Sequence, residues 1–154
     1  MKRLLSRQKG LAAVEATIVM PLLLLMLLAI AEFGRALYQY NTLTQAVRAG
    51  ARAVSFSENP GNFELTAAMQ ARARNLILYG QEVPGEAPVL PGLSAADISF
   101  STVAIPEGST DLYVEIHTSY SWQPIFGLGF NTFFGGVISL DFPLETKITM
   151  RVLQ

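Results

Sequence analysis

The sequence predicts an α+β protein whose N-terminal helix spans a membrane. Three observations predict it: an apolar run of 21 residues near the N-terminus, a helical pattern that continues past this run, and a two-residue alternation of apolar and polar side chains in the last third of the chain. We therefore expect a long transmembrane-plus-amphipathic helix, a second helix and a small antiparallel β-sheet of three to four strands.

The apolar run extends from Leu11 to Ala31 and contains one charged residue, Glu15. A helix of this length rises about 30 Å, which is the thickness of the hydrocarbon core of a bilayer. Its aliphatic residues favour insertion by about 3–5 kcal/mol in total, against roughly 3 kcal/mol for one carboxylate. The run therefore predicts a membrane span at 11–31. Four basic residues precede it, which predicts a cytoplasmic N-terminus and an exported remainder: Lys2, Arg3, Arg7 and Lys9.

Three interpretations of this N-terminal region remain open. It is a secretory signal peptide cut after Ala31, an uncleaved anchor, or a leader that is cut on the cytoplasmic side between Gly10 and Leu11. Glu15 favours the third, because an acid in the run weakens a signal peptide or a simple anchor. Cleavage before Leu11 would create a positive amine one helical turn from Glu15, and a carboxylate in lipid is expected to pair.

The helical pattern continues through residues 32–56 as an amphipathic extension of the span. The predicted stripe recurs at spacings of three and four and consists of Phe33, Leu37, Tyr40, Thr44, Val47, Ala51 and Val54. A polar side keeps the same spacing and consists of Asn41, Gln45, Arg48 and Arg52. The sequence leaves open whether the stripe packs on the rest of this chain, on other subunits, or on both.

The segment from Arg7 to Val54 resembles the N-terminal region of the TadE-like family, the minor pseudopilins of the tight-adherence (Tad, or Flp) type IV pilus system. Its features are a glycine before an apolar residue, a glutamate at the fifth position of the run, a proline among leucines, and the segments EFGRAL and AVRAGAR. The resemblance implies a leader at 1–10 that a prepilin peptidase removes after Gly10. Glu15 is then the characteristic acid that sets helix register during assembly.

The same resemblance implies residence in the bacterial inner membrane, with other pilins and pseudopilins of the system as partners. Assembly of the pilus, adhesion or biofilm formation is the implied role. The chain departs from the major Flp pilin, because Ala16 follows Glu15 where the major pilin has tyrosine, and because 144 residues would follow the cut. A minor component is therefore expected, and TadF-like and TadG-like relatives stay open as assignments.

The exported part is expected to hold a second helix and a loop at 57–92 and a β-rich portion at 93–154. Asn-Pro-Gly within 57–62 predicts a break after the first helix, and residues 63–79 predict the second, with Leu65, Arg72 and Leu76 near one side. Alternation predicts strands near 98–102, 112–120 and 147–152, and Pro106 to Ser109 predicts a hairpin turn between the first two.

An aromatic segment, residues 122–136, lies between the last two predicted strands and carries no charge. We interpret it either as a loop folded over the sheet or as an apolar surface for another pilus component or the membrane. The residues of this possible interaction loop are Trp122, Phe126, Phe130, Phe133 and Phe134.

Composition argues against other functions. The net charge is −5 over residues 11–154, from 7 Lys and Arg against 12 Asp and Glu, whereas a nucleic-acid-binding protein would carry a basic patch. There is no cysteine, and His117 is the only histidine, so a zinc site lacks its usual ligands. We expect no catalytic activity, no metal or other cofactor, and no small-molecule substrate.

Overall fold

The computed structural model describes residues 2–56, 63–108, 111–125, 127, 129–131 and 135–153, with the side chains of 2–9, 130 and 131 excepted. Within this part the chain is α+β, as predicted, and it divides into two compact units, Met1–Ala36 and Leu37–Gln154. The elements are α1 (Lys2–Val54), α2 (Ala67–Tyr79), a short 3₁₀ helix (Ala95–Asp97), and the strands β1 (Ile98–Ala104), β2 (Leu112–Ser121), β3 (Gly129–Asn131), β4 (Val137–Ser139) and β5 (Pro143–Arg151).

Helix α1 confirms the predicted extension of the span, but the face that it buries differs from the prediction. Val47, Ala51 and Val54 are buried as predicted, whereas Phe33, Leu37 and Tyr40 are exposed. The buried positions of α1 in the second unit are Gln39, Leu43, Val47, Gly50, Ala51 and Val54. The early part of the buried stripe is thus shifted by one residue, because the large aromatic side chains lie beside the contact face and Leu43 lies in it. The predicted polar side is exposed throughout.

Helix α2 begins at Ala67, four residues later than predicted. The hydroxyl of Thr66 accepts a hydrogen bond from the Met69 N–H, which is the N-cap geometry that starts a helix. The helix ends at Gly80 as expected, and the φ of 70° there is the left-handed conformation that glycine adopts without strain. The segment 57–62, with its predicted turn, lies outside the described residues.

The buried face of α2 also differs from the prediction. Ala73, Ile77 and Leu78 are buried, whereas the predicted side included the exposed Arg72. The physical reason is a close approach of the two helices. A Cβ atom on Gly50 would lie 3.2 Å from the Ala73 carbonyl oxygen and 2.7 Å from Cγ1 of Ile77. The glycine on α1 therefore allows Ala73 and Ile77 to form the contact face of α2.

The sheet has the strand order β1-β2-β5, and both pairings are antiparallel. The β1–β2 pairing places Ala104 opposite Leu112, which confirms the predicted hairpin, although Ser109 of its turn lies outside the described residues. Alternation along β2 is confirmed by four buried side chains: Val114, Ile116, Thr118 and Tyr120. Strand β5 begins four residues before the prediction and buries Leu144 and Thr146.

A second, two-stranded sheet lies within the segment that we expected to be a loop. Strands β3 and β4 pair in antiparallel register, with Gly129 opposite Ser139 and Asn131 opposite Val137. Three residues per strand are too few to show an alternation in the sequence, and glycine is depleted in strands. The sequence therefore gave no sign of this hairpin.

The two ends of the three-stranded sheet make different contacts. At one end, here called the Leu153 end, the Leu153 N–H donates to the Ser55 carbonyl oxygen at 2.8 Å, and Phe56 and Leu153 form a parallel bridge. At the other, here called the Trp122 end, the Tyr120 hydroxyl donates to the Pro91 carbonyl oxygen at 2.8 Å. The rings of Trp122 and Phe142 lie 5.0 Å apart at the same end.

Candidate membrane and assembly site

The apolar part of α1 is exposed along its whole length. Within Gly10–Val54, an 18-residue window has a mean hydropathy of 2.4, and none of that window is buried. An apolar core helix of a soluble protein has similar length and composition but is mostly covered by the rest of its chain. Several of the largest side chains in the run are more than half exposed: Leu11, Ile18, Met20, Leu23, Met26, Leu27 and Ile30. This helix is consistent with membrane anchoring, since lipid would cover the side chains that the chain leaves open.

The predicted cleavage and register residues lie at the start of this exposed helix. Leu11 is 72% exposed, and Glu15 follows it four residues later, at the spacing that brings side chains together on one helix face. Among the described residues, apart from its chain neighbours and the helix's own nearby backbone, no atom lies within 4 Å of the position that a Cβ on Gly10 would occupy. Within the described part of the chain, the Glu15 carboxylate has neither a hydrogen bond nor an ion pair. A positive charge on Leu11 would therefore meet an acid that nothing else in this part of the chain engages.

The hydroxyl of Thr17, inside the apolar run, is satisfied locally. The Thr17 hydroxyl donates to the Ala13 carbonyl oxygen at 2.8 Å, which pairs it inside the apolar run. The backbones of Lys2, Arg3, Arg7 and Lys9 belong to α1, but their side chains lie outside the described residues. Their predicted role in orientation remains a prediction from the sequence.

An ion pair lies directly after the apolar run, and the sequence interpretation missed it. A guanidinium nitrogen of Arg35 lies 2.7 Å from a carboxylate oxygen of Glu32, and the Glu32 side chain is only 6% exposed. The Glu-x-x-Arg spacing within EFGRAL could have indicated the pair, because residues three apart on a helix are neighbours. The first two charges after the span thus neutralise each other.

The aromatic segment contributes Trp122 to the core. Trp122 is buried against Phe142, so it does not form part of an exposed surface. Phe126, Phe133 and Phe134, and the side chain of Phe130, lie outside the described residues. The exposed apolar side chains in this region, here called the hairpin surface, are Ile125, Val137, Ile138 and Phe142. The sequence interpretation did not include them, because three of the four follow the predicted aromatic segment 122–136.

His117 lies in the middle of the sheet, away from the ends. It is opposite Ser99 on one side and Lys147 on the other, and the Ser99 hydroxyl donates to the His117 backbone oxygen. The Lys147 ammonium instead pairs with Glu115 at 2.9 Å. Within the described ranges, no group of three or more His, Cys, Asp or Glu side chains lies close enough to hold a metal ion.

Comparison with known proteins gives one finding. The model of the TadE-like protein family matches residues 10–52, which begin at Gly10 before the apolar run and end two residues before the end of α1. The match confirms the resemblance seen in the N-terminal sequence. No curated protein and no solved structure matches the chain.

Proposed function

We propose that this chain is a minor pseudopilin of a Tad/Flp-type pilus, a structural protein of the bacterial inner membrane with an exported C-terminal unit. The observation that carries the proposal is the match of residues 10–52 to the TadE-like family, over a helix that contains an exposed apolar stretch long enough to cross a membrane. The family match indicates a pilus-associated protein, and the place of this chain among minor components comes from its size. Its role lies in pilus assembly, and through the pilus in adhesion or biofilm formation.

Processing is the first step of the proposed function. A prepilin peptidase cuts between Gly10 and Leu11 and leaves the apolar helix as the new N-terminus. The surroundings of Gly10 support access to this bond, since no described side chain would lie within 4 Å of a Cβ there. The leader, with Lys2, Arg3, Arg7 and Lys9, keeps this end cytoplasmic before the cut.

Glu15 then acts in assembly with the other pilins. Its carboxylate lacks a partner in the described part of the chain and would be costly in lipid without one. In a staggered pair of helices, the Leu11 amine of one subunit supplies the opposite charge to the Glu15 of the next. The exposed side chains Phe33, Leu37 and Tyr40 extend this apolar face beyond the span and give neighbouring helices further contact area.

The experiment that tests the proposal is the mass of the N-terminal peptide of the membrane-extracted protein, in cells with and without the prepilin peptidase. We expect a mature chain that starts at Leu11 and an unprocessed chain in the strain that lacks the peptidase. A start at Glu32 would instead identify a secreted domain released after Ala31, which is the alternative that the Ala29–Ala31 motif favours. An intact leader in both strains would identify a simple membrane anchor and contradict the proposal.

The role of Glu15 is tested by Glu15→Gln, which removes the charge and keeps the shape. We expect normal cleavage after Gly10 and loss of this protein from complexes with other pilins, measured by cross-linking in membranes. The matched control is Glu107→Gln, an exposed acid in the turn after β1. Equal cross-linking by the Glu15 variant and the wild type would show that the carboxylate has no part in assembly.

A further inference from the structure

Strand β1 is an edge of the three-stranded sheet, and it lacks the features that keep a sheet edge from pairing with another chain. The order β1-β2-β5 leaves one side of β1 and one side of β5 without a neighbouring strand in the described part of the chain. Sheet edges are commonly protected by charged side chains or by proline. Strand β1 has the sequence ISFSTVA and contains neither. Strand β5 contains both, in Pro143, Glu145, Lys147 and Arg151.

The register of the β1–β2 pairing shows which backbone groups of β1 point outward. Directly after β1, the Ile105 N–H donates to the Asp111 carbonyl oxygen, in the same register as the strand pairing. Hydrogen bonds alternate along an antiparallel strand, so the odd-numbered residues of β1 bond to β2 and the even-numbered residues direct their N–H and C=O groups away from it. Phe100 and Thr102 are the outward residues in the middle of the strand. Within the described residues, no backbone hydrogen bond engages their outward groups.

A cavity of about 350 Å³ lies against this edge. Three consecutive residues of β1 line it: Phe100, Ser101 and Thr102. Because neighbouring side chains of a strand point to opposite faces, a cavity that touches all three residues reaches the edge of the strand. The opposite wall includes Leu65, just before α2, and Gln70, near the start of α2. The volume falls within the range of about 300–1,000 Å³ that ligand sites occupy.

Arg74 supplies a positive charge beside this cavity. It lies one helical turn after Gln70, and its guanidinium carbon is 5.3 Å from the centre of the Phe100 ring. The Nε atom of Arg74 is buried without a hydrogen-bond partner, and no carboxylate of the described residues forms an ion pair with the guanidinium. Glu64 lines the same cavity but is exposed and does not form that pair. A guanidinium with free donors is suited to a carboxylate, which it binds through two parallel hydrogen bonds.

A strand added to the β1 edge would place one of its side chains beside Arg74. Residues that lie opposite each other in paired strands share a face, with their Cβ atoms about 4.5–5.5 Å apart. The partner residue opposite Phe100 would therefore lie on the face where Arg74 covers the Phe100 ring. A carboxylate there would give Arg74 its acceptors. A second copy that paired through its own β1 would offer none, because β1 contains no acidic residue.

We propose that the β1 edge and the adjacent cavity bind an extended, acidic segment of another protein, with an aspartate or glutamate opposite Phe100. The segment adds to the sheet as a strand. Main-chain hydrogen bonds to Phe100 and Thr102 supply affinity, and Arg74 selects the acidic residue. The site lies wholly within Leu37–Gln154, so the inference does not depend on the cleavage or membrane insertion of α1.

The experiment uses the full-length chain in detergent micelles and two synthetic peptides, acetyl-TVEVT-amide and the same peptide with glutamine in place of glutamate. Two-dimensional NMR follows the backbone amides and the Arg74 side-chain N–H during each titration. We expect the glutamate peptide to bind about five- to tenfold more tightly than the glutamine peptide, because only the first offers Arg74 a carboxylate. The amides of Phe100 and Thr102, which point outward, should shift more than the amide of Ser101.

Two pairs of variants separate the charge from the strand pairing. Arg74→Gln should abolish the preference for the glutamate peptide, and Arg48→Gln, which removes an exposed arginine of α1, should preserve it. Thr102→Pro removes an outward N–H and should weaken the binding of both peptides about fivefold, since one hydrogen bond is lost. The same alternation directs the Thr149 N–H outward on β5, so Thr149→Pro is the matched control and should leave binding unchanged.

Several results would overturn the inference. Equal affinity of the wild type for both peptides, or binding of neither, would exclude an acidic segment as the ligand. Peptide-induced shifts away from β1 would exclude the site. Shifts of the Phe100 and Thr102 amides that depend on protein concentration in the absence of peptide would show that a second copy occupies the edge instead. If Thr102→Pro does not fold, which the dispersion of its spectrum reports, the comparison of Arg74→Gln with Arg48→Gln decides the question alone.

Discussion

Gly50 is the residue at which the two helices of the folded unit come closest. The space where its side chain would lie is occupied by Cγ1 and Cδ1 of Ile77, at 2.7 and 2.8 Å, and by the Ala73 carbonyl oxygen at 3.2 Å. The two separations under 3 Å are to the Ile77 side chain, which would have to move, and the Ala73 carbonyl oxygen at 3.2 Å belongs to the backbone of α2, which cannot yield as a side chain does. Glycine at this position is therefore required by packing rather than by backbone conformation.

Gly50→Ala should destabilise the folded unit. Overpacking of a filled interface costs about 1–3 kcal/mol, from which up to about 1 kcal/mol of improved helix propensity is recovered. The free energy of unfolding is measured by urea titration in detergent, with the fluorescence of the single, buried Trp122 as the signal. Gly34→Ala is the control, because nothing lies within 4 Å of its Cβ position, and it should leave the unfolding midpoint unchanged or slightly higher. An equal midpoint for both variants would contradict the packing argument.

Thr118 is a buried residue whose side chain fits the core in shape but not in polarity. It is fully buried in the central strand, and its hydroxyl has no hydrogen-bond partner among the described residues. A buried hydroxyl without a partner costs about 1–3 kcal/mol, and valine has the same shape without the polar atom.

Thr118→Val should therefore raise the free energy of unfolding by about 1–3 kcal/mol. Thr149→Val, at an exposed position of β5, is the matched control and should change it by less than about 0.5 kcal/mol. The same urea titration measures both. A destabilised Thr118→Val variant would mean that the hydroxyl has a partner, such as an ordered water, that its loss leaves unsatisfied.

At the scale of elements, periodicity predicted which segments are helices and strands. Contacts between elements decided which face of each helix is buried. The stripe of α1 was placed correctly at Val47, Ala51 and Val54, which are fully buried. The stripe was misplaced at Tyr40, because the apolar character of a residue does not show which of two adjacent helix faces packs against the rest of the unit. The burial of Ala73 could not be read from hydrophobicity, since it follows from the glycine on another helix.

The start of α2 shows the same limit and gives an element-scale prediction. Thr66→Ala removes the oxygen that accepts from the Met69 N–H and should cost about 1 kcal/mol of stability. Thr42→Ala is its matched control, because the Thr42 hydroxyl only donates to the Tyr38 carbonyl oxygen within α1, and alanine is the better helix former there. Urea titration should show a lower midpoint for the first variant alone. Equal midpoints would mean that the cap does not stabilise α2.

For the candidate site, the roles of Gly10, Leu11 and Glu15 remain predictions from the sequence. Glu15 follows Leu11 by four residues on one helix, so the spacing alone places these two side chains near each other. Ile125 and Val137 are brought to one region by a hairpin that no alternation marks. Glu32 and Arg35 were predictable from spacing, and were overlooked because attention was on the apolar residues between the charges.

At the scale of the whole molecule, the folded unit is self-contained. Every buried apolar residue of the described core except Ala36 lies within Leu37–Gln154. The α1 part of this unit supplies Leu43, Val47, Ala51 and Val54, each with no exposed surface. The core is therefore complete without the apolar run and incomplete without the end of α1.

A fragment of residues 37–154 should consequently fold by itself, with a cooperative thermal transition in circular dichroism. A fragment of residues 67–154, which lacks the α1 part, should show no such transition, because the surfaces that α1 covers would face water. Two-dimensional NMR spectra of both fragments give an independent measurement. A dispersed spectrum for 67–154 would show that the sheet and α2 fold without α1. A collapsed spectrum for 37–154 would show that the folded unit also needs the apolar run.

The bridge between Phe56 and Leu153 has a consequence for the order in which the molecule forms. Its two residues are 97 positions apart (153 minus 56), so this contact has the sequence separation that makes folding slow. The β1–β2 hairpin forms from neighbouring segments, but β5, which completes the sheet beside β2, ends three residues before Gln154. A chain that emerges N-terminus first therefore holds its helix with the core-facing side uncovered until β5 and Leu153 have also emerged, so the native contacts of that helix form late.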